Sequence, residues 1–180
     1  MALRRQSSRL HGVAWGLIYL GLLKMLVGSE AAARAHFDEA LASAQQCNDR
    51  FTEGGVHNFL GLGLTLARNR EGRASAWRAL QLLHEQGFTL GMTTALEVLA
   101  AQAGLHGRHA EAAQLAGAAH AQRSATGNTA TTIYHADYNR LFDMARGPLD
   151  QASFAAGCEA GQALAIDQVL ALAERVSIDD

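Results

Sequence analysis

LGLLKMLVGSEAAARAHFDEAL, residues 20–41, decides the fold. Leu20-Gly21 is followed, twelve residues after the glycine, by Ala33, then by Phe37 and by Ala40-Leu41. That spacing predicts two antiparallel helices. The missing side chain at Gly21 lets the first lie close to the second, Ala33 is the small contact opposite, and Phe37 with Ala40-Leu41 fills the seam. Gly28 stops the first helix, and Ser29 with Glu30 after it is placed to cap the second. The arrangement returns at Leu60-Gly61 with Gly72 and Ala79-Leu80, and again at Leu99-Ala100 with Ala112, Ala116 and Ala119. Gly61 lies 40 residues after Gly21, and Ala100 lies 39 after Gly61, a period longer than the ~34 residues of the shorter helix-pair repeats. In the second pair Gly72 and Ala79 stand one place early relative to Gly61, so its register departs from that of the first.

Composition agrees with an all-α chain. Of 180 residues, 49% are apolar but only 6% aromatic, and Pro148 is the single proline. Alanine makes up the difference, and a chain so rich in Ala and Leu and so poor in breakers forms helices rather than strands. The helices are expected over residues 8–27, 31–46, 51–67 and 72–84, then in a third pair turning at Gly107. Residues 1–123 thus read as three helix pairs of tetratricopeptide-like kind. Residues 124–132, rich in Ser, Thr, Gly and Asn, read as a loop. Residues 133–180 read as a helical C-terminal cap with helices over 133–145, 149–159 and 166–176, since a stack of helix pairs needs a different element to cover its last apolar face.

Several function classes are disfavoured. A formal charge of −2 and a pI near 6.4 offer no clustered positive face for nucleic acid, and the one basic cluster is Arg4, Arg5 and Arg9. Cys47 and Cys158 are far apart with no C-x-x-C spacing, which fits a reduced cytoplasmic protein. The apolar run from Val13 to Leu23 is interrupted by Lys24 well short of the roughly 20 residues of a membrane span, so it reads as a buried helix. Met1 is either a natural start or the edge of a piece of a larger protein.

No residue set presents an active site. His106 and His109 bracket the turn at Gly107, but a metal would need two further ligands, with only Glu111 near in sequence. His135 and Asp137, with Tyr138 and Asp143, mark a polar helix face, whereas general acid–base work needs a pocket. Gly61-Leu62-Gly63 lies inside a helix and not after a strand, which makes it a packing feature. The expectation is therefore a protein without catalysis, cofactor or metal of its own. Its rival is a small helical enzyme or metal-binding protein using His106 and His109, or His135 and Asp137.

The architecture does predict a concave face lined by the first helix of each pair. Carrying the register forward places Trp15, Ile18, Leu22 and Met25 there from the first pair, Asn58, Leu62 and Thr65 from the second, and Thr94 and Glu97 from the third. Such a face, mostly apolar with a few polar points, suits a peptide, a partner helix or a small apolar ligand. The alternative is that the first helix is an assembly surface, through which the chain forms a homodimer.

The C-terminal half carries a resemblance. Ala116-Gly117-Ala118-Ala119-His120, Tyr138-Asn139-Arg140, Phe154-Ala155-Ala156, Glu159-Ala160-Gly161, Ala163-Leu164 and Asp167-Gln168 resemble the end of bacterial multidomain transcriptional regulators. In these predicted-ATPase, LuxR-type or cyclase-fused proteins a tetratricopeptide-like tail follows the other domains. The likeness covers about Leu96 to Ala173, with Cys158 where the family usually has tryptophan and Ala165 where a Ser or Thr would cap the last helix. There is no G-x-x-x-x-G-K-[ST] loop and no helix-turn-helix module with a basic recognition helix. The resemblance implies a protein-interaction or ligand-sensing module whose partners are the regulator's own domains or a peptide segment, with no direct contact to nucleic acid or membrane.

Overall fold

Five glycines with positive φ punctuate the chain, Gly28, Gly87, Gly107, Gly127 and Gly147, and Asn48 and Arg68 do the same work at two further turns, while the turn at Ala163 has no such residue. The computed structural model describes residues 2–127 and 135–178, with side chains from residue 10 in the first stretch and from residue 137 in the second. Among the described residues there are nine α-helices and no strand. They are α1 (Ala2–Leu26), α2 (Glu30–Gln46), α3 (Arg50–Leu66), α4 (Gly72–Glu85), α5 (Thr89–Leu105), α6 (His109–Ala125), α7 (His135–Arg146), α8 (Gln151–Gln162) and α9 (Ile166–Ile178). The expected loop over 124–132 is shorter at its start, because α6 runs on to Ala125; its residues 128–132 lie outside the described ones. α1 begins at Ala2, ahead of the expected start, as Leu3 to Gln6 contain no breaker.

Local sequence sets the helix ends. Asp49 caps α3, accepting the Thr52 amide at 3.0 Å, while the His11 ring from α1 lies 2.8 Å from the other Asp49 carboxylate oxygen and ties the two helices together. Ser29 occupies the cap position of α2 without a side-chain bond; Glu30 pairs with Arg34 instead. α8 starts after Asp150, whose carboxylate accepts the Ser153 amide, rather than at Leu149. The missing hydroxyl at Ala165 is offset by Gln168, whose Oε1 accepts the Ala165 amide at 2.9 Å.

The helices pack as pairs, α1 on α2, α3 on α4 and α5 on α6, while α1, α3, α5 and α7 lie in order beside one another. α8 lies along α6, and α9 reaches α4, α5 and α6. In the first pair the Phe37 ring sits 3.0 Å from where a Cβ on Gly21 would stand, and Ala33, Phe37 and Ala40 are buried. In the second pair Ala76 takes the place of Phe37, so Gly61 lies against the backbone of Gly72 and Ala76 and the two helices cross more closely. That closer crossing is the physical counterpart of the one-residue misfit in register.

Close approach also governs the C-terminal end. A Cβ on Gly104 would collide with the Met144 carbonyl of α7, one on Gly117 with the Cys158 carbonyl of α8, and one on Gly161 with the Gln114 carbonyl of α6. Between α3, α4 and α5 a buried polar knot forms: Gln102 donates to the Thr65 hydroxyl at 2.8 Å and to the Asn69 carbonyl at 2.9 Å, and Thr65 donates to the Gly61 carbonyl at 2.7 Å. A Cβ at Gly72 would fill the space that these groups occupy.

His57 on α3 makes stability depend on pH. Its Nδ1 is buried without a partner, and burial pushes the imidazole below its ordinary 6.5, with Glu53 pulling it up and Arg78 pressing it further down. The folded protein then binds this proton less readily than the unfolded chain, so the stability is fully present above about pH 6.5 and is lost as pH falls through the folded value. Urea midpoints are expected to decrease from neutral pH to about pH 5, and to decrease less in His57→Leu. Identical pH slopes for the two proteins would remove His57 from the account.

Candidate functional site

Where α1, α3, α5 and α7 lie side by side they enclose a cleft of about 290 Å³. α1 contributes Trp15 and Tyr19; α3 contributes Phe51, Gly55, Asn58, Phe59 and Leu62; α5 contributes Leu90, Gly91, Thr94 and Glu97. Leu83 and Phe88 close the floor between α4 and α5, while Arg123 of α6 and Asp137, Tyr138 and Leu141 of α7 form the far wall.

One end is aromatic. The Trp15 ring lies 5.9 Å from Phe51 and meets Phe59 edge-on at 6.1 Å; Phe59 meets Tyr19 at 5.5 Å, and Phe51 meets Phe88 edge-on at 4.7 Å. Such edge-to-face contacts hold the rings in fixed orientations. Gly55 makes the wall possible, because the Trp15 ring edge stands 3.0 Å from the position of a Cβ there.

The other end is charged. Arg123 donates to Glu97 through Nε at 3.0 Å and also through Nη2, with the two side chains only 15% and 10% exposed. Burial raises the Glu97 carboxyl above its ordinary range even though Arg123 pulls it down. The guanidinium also lies over the Tyr138 ring, 5.2 Å from its centre, and burial together with Glu97 raises the Tyr138 phenol. Asp137 faces Arg140 at 3.5 Å, a loose contact, since Arg140 also donates to the Leu66 carbonyl. Asn58 is 5% exposed; its Nδ2 donates to the Gly91 carbonyl at 3.0 Å, while its Oδ1 has no partner.

Of the nine residues expected on the concave face, Trp15, Asn58, Leu62, Thr94 and Glu97 meet in this cleft. The other four are placed elsewhere. Ile18, Leu22 and Met25 are buried between α1 and α3, with Met25 and Leu22 packed on Gly63 and Ile18 beside Gly55, and Thr65 belongs to the polar knot with Gln102. Sequence reasoning missed Arg123, Asp137 and Tyr138 as members of one site. α7 stands in no fixed repeat relation to α5, so only the complementary charges of Glu97 and Arg123 could have hinted at the pairing.

His106 Nδ1 lies 2.8 Å from the Gln102 carbonyl, His109 packs against Gly147, and the side chain of His135 lies outside the described residues. Among the described residues no three His, Cys, Asp or Glu side chains are grouped to hold a metal ion, and no helix is long and apolar enough to cross a membrane.

Fold and site together define an all-helical protein with an aromatic cleft that carries a charged end. Compared with known proteins, the chain matches no protein-family model, no curated protein and no solved structure.

Proposed function

We propose that the chain is a tetratricopeptide-like superhelical binding module that takes a small ligand into the cleft between α1, α3, α5 and α7. It would serve as the sensing part of a cytoplasmic bacterial transcriptional regulator, of the LuxR-type or related kind that the C-terminal half resembles, without catalysis of its own. The observation that carries the reading is the cleft: rigid aromatic walls and a few convergent polar groups are what a ligand pocket needs, and its size suits a one- or two-ring molecule better than a helix. Ligand held between α1 and α7 would bridge the first helix pair and the C-terminal cap, and could so report occupancy to the regulator's other domains. A second, assembly role is favoured by the outward side of α1 and the turn that follows it, where Val13, Leu20, Leu23 and Val27 are exposed at helical spacing, a stripe on which a second copy could pack.

Thr94 borders the cleft and is only partly buried, so Thr94→Trp fills the space with little effect on the core. The neutral two-ring dye prodan is expected to bind the native protein saturably at one site and to lose about tenfold or more in affinity in Thr94→Trp, with Tm changed by no more than about 4 °C. Equal dye binding by the two proteins would place the apolar site elsewhere.

A further inference from the structure

We infer that the cleft selects a protonated organic amine with an aromatic body. This rests on the cleft being a ligand site and adds to that reading the chemistry of the ligand. Charge and hydrogen-bonding groups around one cavity carry it. Two carboxylates, Glu97 and Asp137, border the cleft, against one guanidinium, Arg123. Arg123 is already committed: two of its nitrogens bond the same Glu97 oxygen, Oε1, and its face lies on Tyr138. Asp137, with a side chain 17% exposed, has only the loose contact with Arg140. Among the lining residues the carboxylates thus outnumber the guanidinium, and Arg140, the cation beside Asp137, is half exposed and stands outside the cleft.

Asn58 gives an independent pointer in the same direction. It is more than nine-tenths buried, its amide nitrogen is used on Gly91, and its carbonyl oxygen is an acceptor with no donor. A buried acceptor left unmatched costs free energy, and because Asn58 borders the cleft a ligand N–H recovers it once a small turn of the side chain brings that oxygen to the cavity. An ammonium group brings the N–H donors and the positive charge together. The elevated Glu97 carboxyl is consistent with a carboxylate whose burial Arg123 does not fully offset. The remaining walls, Trp15, Tyr19, Phe51 and Phe59, offer apolar surface and electron-rich faces for the ring of such a ligand at the end away from the charges. A carboxylate ligand would meet Glu97 and Asp137 with no uncommitted cation among the described lining residues, and a neutral alcohol would match the rings but not the charge.

Calorimetric titration of the full chain at neutral pH with phenethylamine, phenethyl alcohol and hydrocinnamate tests this, because the three share a ring and differ in the charge of the head. The amine is expected to bind at one site on the order of tenfold tighter than the alcohol, and hydrocinnamate weaker than either. That advantage is expected to shrink in Asp137→Asn, which lies in the first turn of α7 and tests the charge even where Glu97→Gln, by leaving Arg123 unpaired, unsettles the fold. Absence of saturable amine binding, equal affinities for amine and alcohol, tighter binding of hydrocinnamate, or an amine advantage unchanged in Asp137→Asn overturns the inference. If amine and alcohol bind alike and Thr94→Trp abolishes both, the amine selectivity fails while the ligand cleft stands. If none of the three binds and prodan is also indifferent to Thr94→Trp, the cleft reading itself fails.

Discussion

Gly117→Ala is expected to destabilise the protein by on the order of 3 kcal/mol, although alanine is the better helix former. The reason is that α6 and α8 cross with backbone against backbone. A Cβ on Gly117 would run into the Cys158 carbonyl, and one on Gly161 into the Gln114 carbonyl, so neither contact can be relieved by turning a side chain. The helices must separate, and the dispersion contacts along the seam, with Ala113 and Gly157 beside it, are lost together. The matched control is Gly12→Ala on α1, where a Cβ would meet nothing within 4 Å; it is expected to gain up to about 1 kcal/mol from helix propensity alone. Chemical denaturation of both variants checks the pair. A stabilising Gly117→Ala would mean that α8 does not lie on α6 at this distance.

Phe37→Ala is expected to cost about 3–5 kcal/mol. Phe37 is 1% exposed and fills the seam between α1 and α2, with Gly21 beneath the ring. Phe51→Ala should cost clearly less, because Phe51 is only partly buried and its ring borders the cleft, where solvent can replace it. The second variant is then expected to lose ligand affinity while staying folded, and the first to lose stability at every probe. Equal, small losses at the two positions in a denaturant melt would show that the first pair is not built around Phe37.

The fold was legible wherever the physics is local. Gly28, Gly87, Gly107 and Gly147 stop helices because each takes a left-handed backbone conformation that costs glycine little, and they stand in the sequence as visible punctuation. Arg68 does the same at the α3–α4 turn without any such sign. Burial of Ala33, Phe37, Ala40, Ala79 and Ala112 follows from helical period alone. The cleft was half legible for a related reason. Trp15, Asn58, Leu62, Thr94 and Glu97 lie on first helices whose faces a repeat register can track. Ile18, Leu22 and Met25 misled because α1 leans on the glycines of α3, and Gly55 and Gly63 draw those side chains into the interface instead of leaving them on the open face. Arg123 and Tyr138 depend on how α7 is placed against α5 and α6, which no periodicity encodes.

The central claim is that one cleft, shared by α1 and α7, is the place where this protein binds a small ligand. Amide and indole chemical-shift mapping during titration with phenethyl alcohol tests it directly. The account predicts that the Trp15 indole N–H, the amides of Gly55 and Gly91, and Tyr138 shift together along one saturation curve, since all border the same cavity from four different helices. Shifts confined to the exposed stripe of Val13, Leu20, Leu23 and Val27, with the amides of Gly55, Gly91 and Tyr138 unmoved, would contradict it and leave α1 as an assembly surface.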